Sequence, residues 1–130
     1  MAAVELTAAS FEKTINESPI LLIDFWAPWC GPCRHFAPVF EASSAVHTDA
    51  VFAKVNTDVE QQLAAAFEIQ SIPTLAIFRD QICVYAQPGA LPAATLEEII
   101  QRVKGLDMDE VRRRIAEHEA NGAHGEDSAE

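Results

Sequence analysis

The stretch Ile20-Leu21-Leu22-Ile23-Asp24-Phe25-Trp26-Ala27-Pro28-Trp29-Cys30-Gly31-Pro32-Cys33 decides how this chain is read. Its first half is a nearly unbroken apolar run, the pattern of a strand covered on both faces. Its second half delivers two cysteines, separated by Gly31 and Pro32, to the start of a helical pattern. That context matters more than the spacing. Free N–H groups and the positive dipole end of a helix N-terminus stabilise a thiolate, the reactive form of cysteine. A second thiol one turn on can then attack any mixed disulfide that the first has formed. The pair reads as a redox dithiol.

Working outward, extended and helical patterns alternate over the first 104 residues. Val4 to Leu6 is a short edge strand, and Thr7 caps a helix whose Phe11 and Ile15 share a face. After Ile20 to Trp26 a helix runs from Pro32 to Val46 with Phe36, Val39 and Phe40 inward, kinked near Arg34 by Pro38. Val51 to Val55 is a strand. Asp58 and Gln61 then form a capping box for a helix carrying Leu63 and Phe67. Thr74 to Phe78 and Ile82 to Ala86 read as a hairpin, although Asp80-Gln81 suits the tightest turn poorly for want of glycine at its second position. Leu96, Ile99, Ile100 and Val103 mark an amphipathic helix. A βαβ unit followed by helix, hairpin and helix predicts an α/β fold, a mixed central sheet flanked by helices on both faces.

Composition bounds the function. The chain has 130 residues and is 49% hydrophobic, enough for one domain with a core of its own. A net charge of −11 argues against nucleic acid and anionic membranes as partners. No segment approaches the length of a membrane span. Three cysteines do not make a secreted disulfide framework, and the residues after Met1 lack the basic and apolar regions of a signal peptide. The expected compartment is the cytoplasm. A zinc site would need a second arm of ligands; Cys83 stands alone, and His35, His47, His118 and His124 show no ligand-like spacing, so no metal is expected. Cys83 is expected to be a buried strand residue.

Asp24 is the most unusual residue on physical grounds. It interrupts Leu21-Leu22-Ile23 and Phe25-Trp26, so in a central strand its carboxylate is poorly solvated and its pKa rises. Such a group takes and returns a proton near neutral pH. Lys54 by itself reads as a solvated edge residue of its strand.

The run from Asp24 to Cys33, then Ala37-Pro38, Ala53-Lys54-Val55-Asn56 with Asp58, Ile72-Pro73-Thr74 and Gly89-Ala90-Leu91, resembles the thioredoxin family in order and spacing over residues 4 to 104. The resemblance implies the thioredoxin fold and a protein-disulfide reductase. Cys30 would be the nucleophile and Cys33 the resolving thiol. Asp24 would be the general base for Cys33, with Lys54 paired to it. Pro73 would follow a cis bond opposite the dithiol, freeing the Ile72 backbone to pair with an extended substrate. Trp29, Gly31, Pro32, Gly89 and Ala90 would complete an apolar docking surface, with Trp26 packing beneath it. Partners would be disulfide-containing proteins and a thioredoxin reductase or similar electron donor. Gln70-Ser71 departs from the basic residue and glycine of many relatives, and Pro92 replaces the usual helix cap.

Composition changes near Gly105: residues 105–130 carry eight acidic and three basic side chains. Asp107 and Glu110 make a capping box, and Met108, Val111 and Ile115 recur at helical spacing. The chain divides into a domain at 1–104, a helical extension at 105–120 and an acidic, disordered tail at 121–130. The extension is either a helix packed on the core, a loose appendage, or a docking helix for a partner. A binding module or co-chaperone that uses this helix is the alternative to the reductase; the dithiol and Asp24 favour the enzyme.

Overall fold

The structure, a computed structural model, describes residues 3–128, with side chains through residue 120. Five strands and five helices follow in order: β1 Val4–Glu5, α1 Ala8–Glu17, β2 Ile20–Trp26, α2 Gly31–Val46, β3 Val51–Asn56, α3 Gln61–Ala66, β4 Thr74–Arg79, β5 Ile82–Pro88, α4 Ala93–Lys104 and α5 Met108–Ser128. The sheet order is β1-β3-β2-β4-β5. β1, β3 and β2 run parallel, whereas β4 is antiparallel to β2 and β5 to β4. The mixed sheet expected from the element order is therefore present.

β2 is central, which is why its sequence is apolar on both faces. Ile20 and Leu22 join Phe36, Phe40, Phe52, Leu75, Ile77 and Leu96 in one core, on the face covered by α2 and α4. Leu21, Ile23 and Phe25 point the other way, towards Leu63, Phe78 and the half-buried Phe11 and Phe67 of the α1 and α3 side. Aromatic rings lock each layer: Phe40 packs edge-on to Phe52 at 5.1 Å, and Phe67 meets Phe25, Phe11 and Phe78 at 5.1, 5.6 and 5.8 Å. By alternation Asp24 lies on the α2 and α4 face, between Leu22 and Trp26.

Local chemistry sets the element ends. Thr7 caps α1 as expected, accepting from the Ser10 amide while the Ser10 hydroxyl accepts from the Thr7 amide. The β4–β5 hairpin closes through the two residues Asp80-Gln81 despite their poor fit, both at positive φ (52° and 70°). The strain is offset by tertiary bonds: the Asp80 amide donates to Pro19 O at 2.8 Å, and its carboxylate meets Arg112 at 3.2 Å.

Two expectations are corrected. Cys83 is exposed, because the hairpin places β5 at the sheet edge. The capping box at Asp58 and Gln61 does not form. α3 starts from Glu60 without a side-chain cap; the Glu60 carboxylate accepts the Ala8 amide at 3.0 Å, and the Asp58 carboxylate accepts from the Trp29 indole. The backbone of α5 continues to Ser128, past the expected start of the tail at Asn121; residues 129 and 130 of that tail lie outside the described residues.

α5 is attached by its first turn. Asp107 caps it through the amides of Asp109 and Glu110, Met108 is buried, and Arg112 bridges to Asp80. From Arg112 to Ala120 every residue is exposed. Among the described residues no helix is long and apolar enough to cross a membrane.

Candidate active site

β2 ends at Trp26, and the chain reverses through Ala27 to Trp29 before α2 begins. Thr57, the residue after β3, clamps that turn, its amide and hydroxyl both donating to Trp26 O at 2.8 and 3.1 Å. Arg34 holds the turn from the helix side, donating to Pro28 O at 2.9 Å. These bonds place Cys30 at the N-cap of α2. Its sulfur takes the part usually played by a serine or aspartate oxygen, accepting the Cys33 amide at 3.1 Å. Pro32 sits in the first turn, where its missing N–H costs nothing.

Cys30 and Cys33 are joined as a disulfide, with Cα atoms 5.2 Å apart. Both are nearly covered and pack with Ala27, Trp26 and Ile72. Any thiolate formed at Cys30 on reduction has a backbone donor and the helix dipole already aimed at it.

Facing the sulfurs is the turn before β4. The Ile72–Pro73 bond is cis, and Ile72 O lies 3.7 Å from Cys30 Sγ. Gly89, at φ 114°, gives its amide to Pro73 O at 2.8 Å, which draws the loop after β5 alongside. A side chain there would be strained whatever the space around it. Gly31 and Pro32 open α2, and Gly89 and Ala90, both exposed, follow β5. Trp29 is 68% exposed, with its indole N–H shared between the two Asp58 oxygens at 3.1 and 3.2 Å. A groove of about 390 Å³ leads from Trp29 and Ile72 past Gln61, Gln70 and Ser71.

Asp24 is completely buried, and neither carboxylate oxygen has a hydrogen-bond partner among the described residues. Burial pushes its pKa up from 3.8 to about 7, with the field of Lys54 pulling less strongly the other way. The expected Asp24–Lys54 ion pair is not made. The two residues are register partners on β2 and β3, yet the ammonium lies over the ring of Trp26, 4.7 Å from its centroid. Lys54 therefore acts on Asp24 only through space.

The disulfide thus lies beside the Ile72–Pro73 turn, with Gly89 bonded to Pro73, while Asp24 is buried on the same strand as Trp26, which packs against both cysteines. Two contributions escaped the sequence reading. Asp58 was legible only as a helix cap, and Trp26 only as packing. The i, i+2 spacing of Asp24 and Trp26, with Lys54 on the neighbouring strand, was the available signal for the second. Cys83 stands apart from the site; partial desolvation of its sulfur raises its pKa, so it stays a thiol at neutral pH. Among the described residues no three His, Cys, Asp or Glu side chains converge as a metal site would.

A cysteine pair closing as a disulfide at a helix N-terminus, beside a cis-proline turn in this fold, defines a thiol–disulfide oxidoreductase. The family model for thioredoxin matches residues 2–102. A Streptomyces coelicolor protein with the provisional name thioredoxin 2 is 51% identical over 119 residues, covering 92% of this chain and 89% of that protein. Its match necessarily reaches into α5. Thioredoxin 1 of Synechococcus elongatus is 44% identical, over 77% of this chain and 95% of its own. Among solved structures, a mutant thioredoxin of Halobacterium salinarum superposes with a TM-score of 0.75 at 31% identity, covering 81% of this chain and 93% of that one. The chain belongs to the thioredoxin family and acts as a protein-disulfide reductase on disulfide-containing substrates.

Proposed function

We propose that Cys30 is the attacking thiol, Cys33 the resolving thiol and Asp24 the base that serves Cys33. The single observation that carries this reading is the buried, unpartnered Asp24 on the sheet face under α2, held near pKa 7. The Cys30 thiolate attacks one sulfur of a substrate disulfide, forming a Cys30–substrate disulfide and releasing the other sulfur, which takes up a proton. Asp24 accepts the proton of Cys33, and the Cys33 thiolate attacks Cys30 Sγ. The Cys30–substrate bond breaks, the second substrate thiol leaves, and Cys30–Cys33 closes as the disulfide seen here. Two electrons have passed to the substrate.

Trp29, Gly31, Pro32, Gly89 and Ala90 form the surface on which substrate docks. Ile72 pairs by its backbone with an extended substrate segment before Pro73. A thioredoxin reductase or similar donor returns the electrons, and no bound cofactor takes part. The chain works in a reducing compartment such as the cytoplasm. Residues 1–104 carry the whole activity, and the extension at 105–120 holds no residue of the site.

The test is a Cys33→Ser variant of the full chain incubated with a disulfide substrate. It accumulates a mixed disulfide through Cys30, detected by mass, whereas Cys30→Ser accumulates none. Trapping through Cys33 in the Cys30→Ser variant would reverse the assignment.

A further inference from the structure

Lys54 presents a choice that electrostatics alone does not explain. Asp24 and Lys54 are register partners on neighbouring parallel strands, so their side chains leave the same sheet face about 5 Å apart. The carboxylate is buried with both oxygens unpartnered, and a free ammonium within reach of it would gain strongly from contact at low local dielectric. The ammonium instead rests 4.7 Å over the centroid of Trp26, two residues further along β2. Tryptophan offers the strongest aromatic face for a cation.

We propose that Trp26 is a positioning residue whose ring holds the Lys54 ammonium off Asp24, keeping the carboxylate free to exchange a proton with Cys33. The proposal rests on the reading of Asp24 as the base for Cys33. Trp26 also packs against Cys30 and Cys33, so a single ring links the dithiol to the placement of the cation. Among the described residues, Lys54 is the one charge whose field acts on Asp24. β4 brings Leu75 to the register position opposite, and α4 brings Leu96, Ile100 and Val103 to this face. On α2, Arg34 and His35 are exposed, and Glu41 accepts the Ala3 amide at 3.3 Å. Without the ring, Lys54 moves onto Asp24, the anion is favoured, and the carboxylate loses its proton at lower pH.

The experiment follows the rate of mixed-disulfide resolution against pH for the full chain and five variants: Trp26→Leu, Trp26→Phe, Lys54→Met, Asp24→Asn and the double variant Trp26→Leu/Lys54→Met. Trp26→Leu moves the midpoint of the base-dependent limb down by about one pH unit, a tenfold change in proton affinity. Trp26→Phe, which keeps an aromatic face, stays within a few tenths of a unit of the parent. In the Lys54→Met background, Trp26→Leu has no further effect. An equal shift in both backgrounds would mean that water entering the site, not Lys54, moves the limb, and would overturn the proposal. So would an unmoved limb in Trp26→Leu.

Asp24→Asn separates the two levels. Loss of its limb with an unmoved Trp26→Leu profile defeats the positioning role alone, whereas a limb that survives Asp24→Asn defeats the reading of Asp24 as base as well. A measurement on the unaltered protein does not depend on any variant folding. The Lys54 ε-methylene protons carry an upfield ring-current shift through the titration of Asp24, and unshifted protons would refute the placement.

Discussion

The two ends of α2 bury ionisable groups in opposite ways. At the C-terminal end His47 is buried and fully partnered. Lys104 has only donors, so Nδ1 of His47 accepts from it at 2.7 Å, and Nε2–H donates to Glu97 Oε1 at 2.7 Å. Lys104 also meets Asp49 at 3.0 Å, and the His47 backbone caps the helix by donating to Ser43 O. At the N-terminal end, among the described residues, neither the Asp24 carboxylate nor the indole N–H of Trp26, two residues on, has a hydrogen-bond partner. A buried polar group with its bonds made holds structure together; one left without them costs stability and stays free to change protonation. The difference separates a structural end of the helix from a chemical one.

The largest test of that contrast removes the chemistry. Cys30→Ser is expected to lower disulfide reduction by about a thousandfold or more, while thermal unfolding of the reduced protein moves little. Retained turnover would place the chemical end elsewhere.

Asp24 gives the next effect, in stability. Its pKa is raised from 3.8 to about 7 on folding, so the folded state binds the proton more tightly than the unfolded chain. The stability that goes with protonated Asp24 is fully present below about pH 4 and is lost as pH rises through about 7, a total near 4 kcal/mol. Asp24→Asn has no such loss. Urea unfolding at pH 4 and pH 8 should therefore find the variant gaining about 4 kcal/mol on the parent between the two, and a constant difference would mean that Asp24 is not desolvated.

His47→Ala, at the other end of the helix, is expected to cost about 1–3 kcal/mol, because the Lys104 and Glu97 bonds are lost together. Its rate of disulfide reduction should match the parent, and a changed pH–rate profile would break the distinction between the two ends. Smallest of all is Arg112→Ala, which releases α5 from Asp80. Surface ion pairs contribute about 0–1 kcal/mol, so unfolding midpoints shift slightly and turnover not at all.

Much of the fold was legible because it is written in local periodicity. The doubly covered run of β2, the amphipathic faces of α1, α2 and α4, and the Thr7 cap are each set by neighbours a few residues apart. Asp24 declared itself by breaking an apolar run. The errors fall where a side chain had partners from distant segments to choose among. Asp58 read as a cap because Gln61 is three residues on, but Trp29, twenty-nine residues back, takes its carboxylate. Cys83 read as buried because β5 is apolar, yet exposure depends on which strand ends the sheet. His47 carried no signal at all, since Glu97 and Lys104 lie fifty and fifty-seven residues away.

The sequence by itself determined the order of strands and helices, the dithiol at a helix N-terminus and a carboxylate inside the central strand. All three follow from residue type and spacing along one segment. Only the tertiary structure decided that Lys54 rests on Trp26 rather than Asp24, that Asp58 serves Trp29, and that β5 is the edge. Those outcomes depend on which partners the fold brings within reach, and that is set by the packing of segments far apart in the chain.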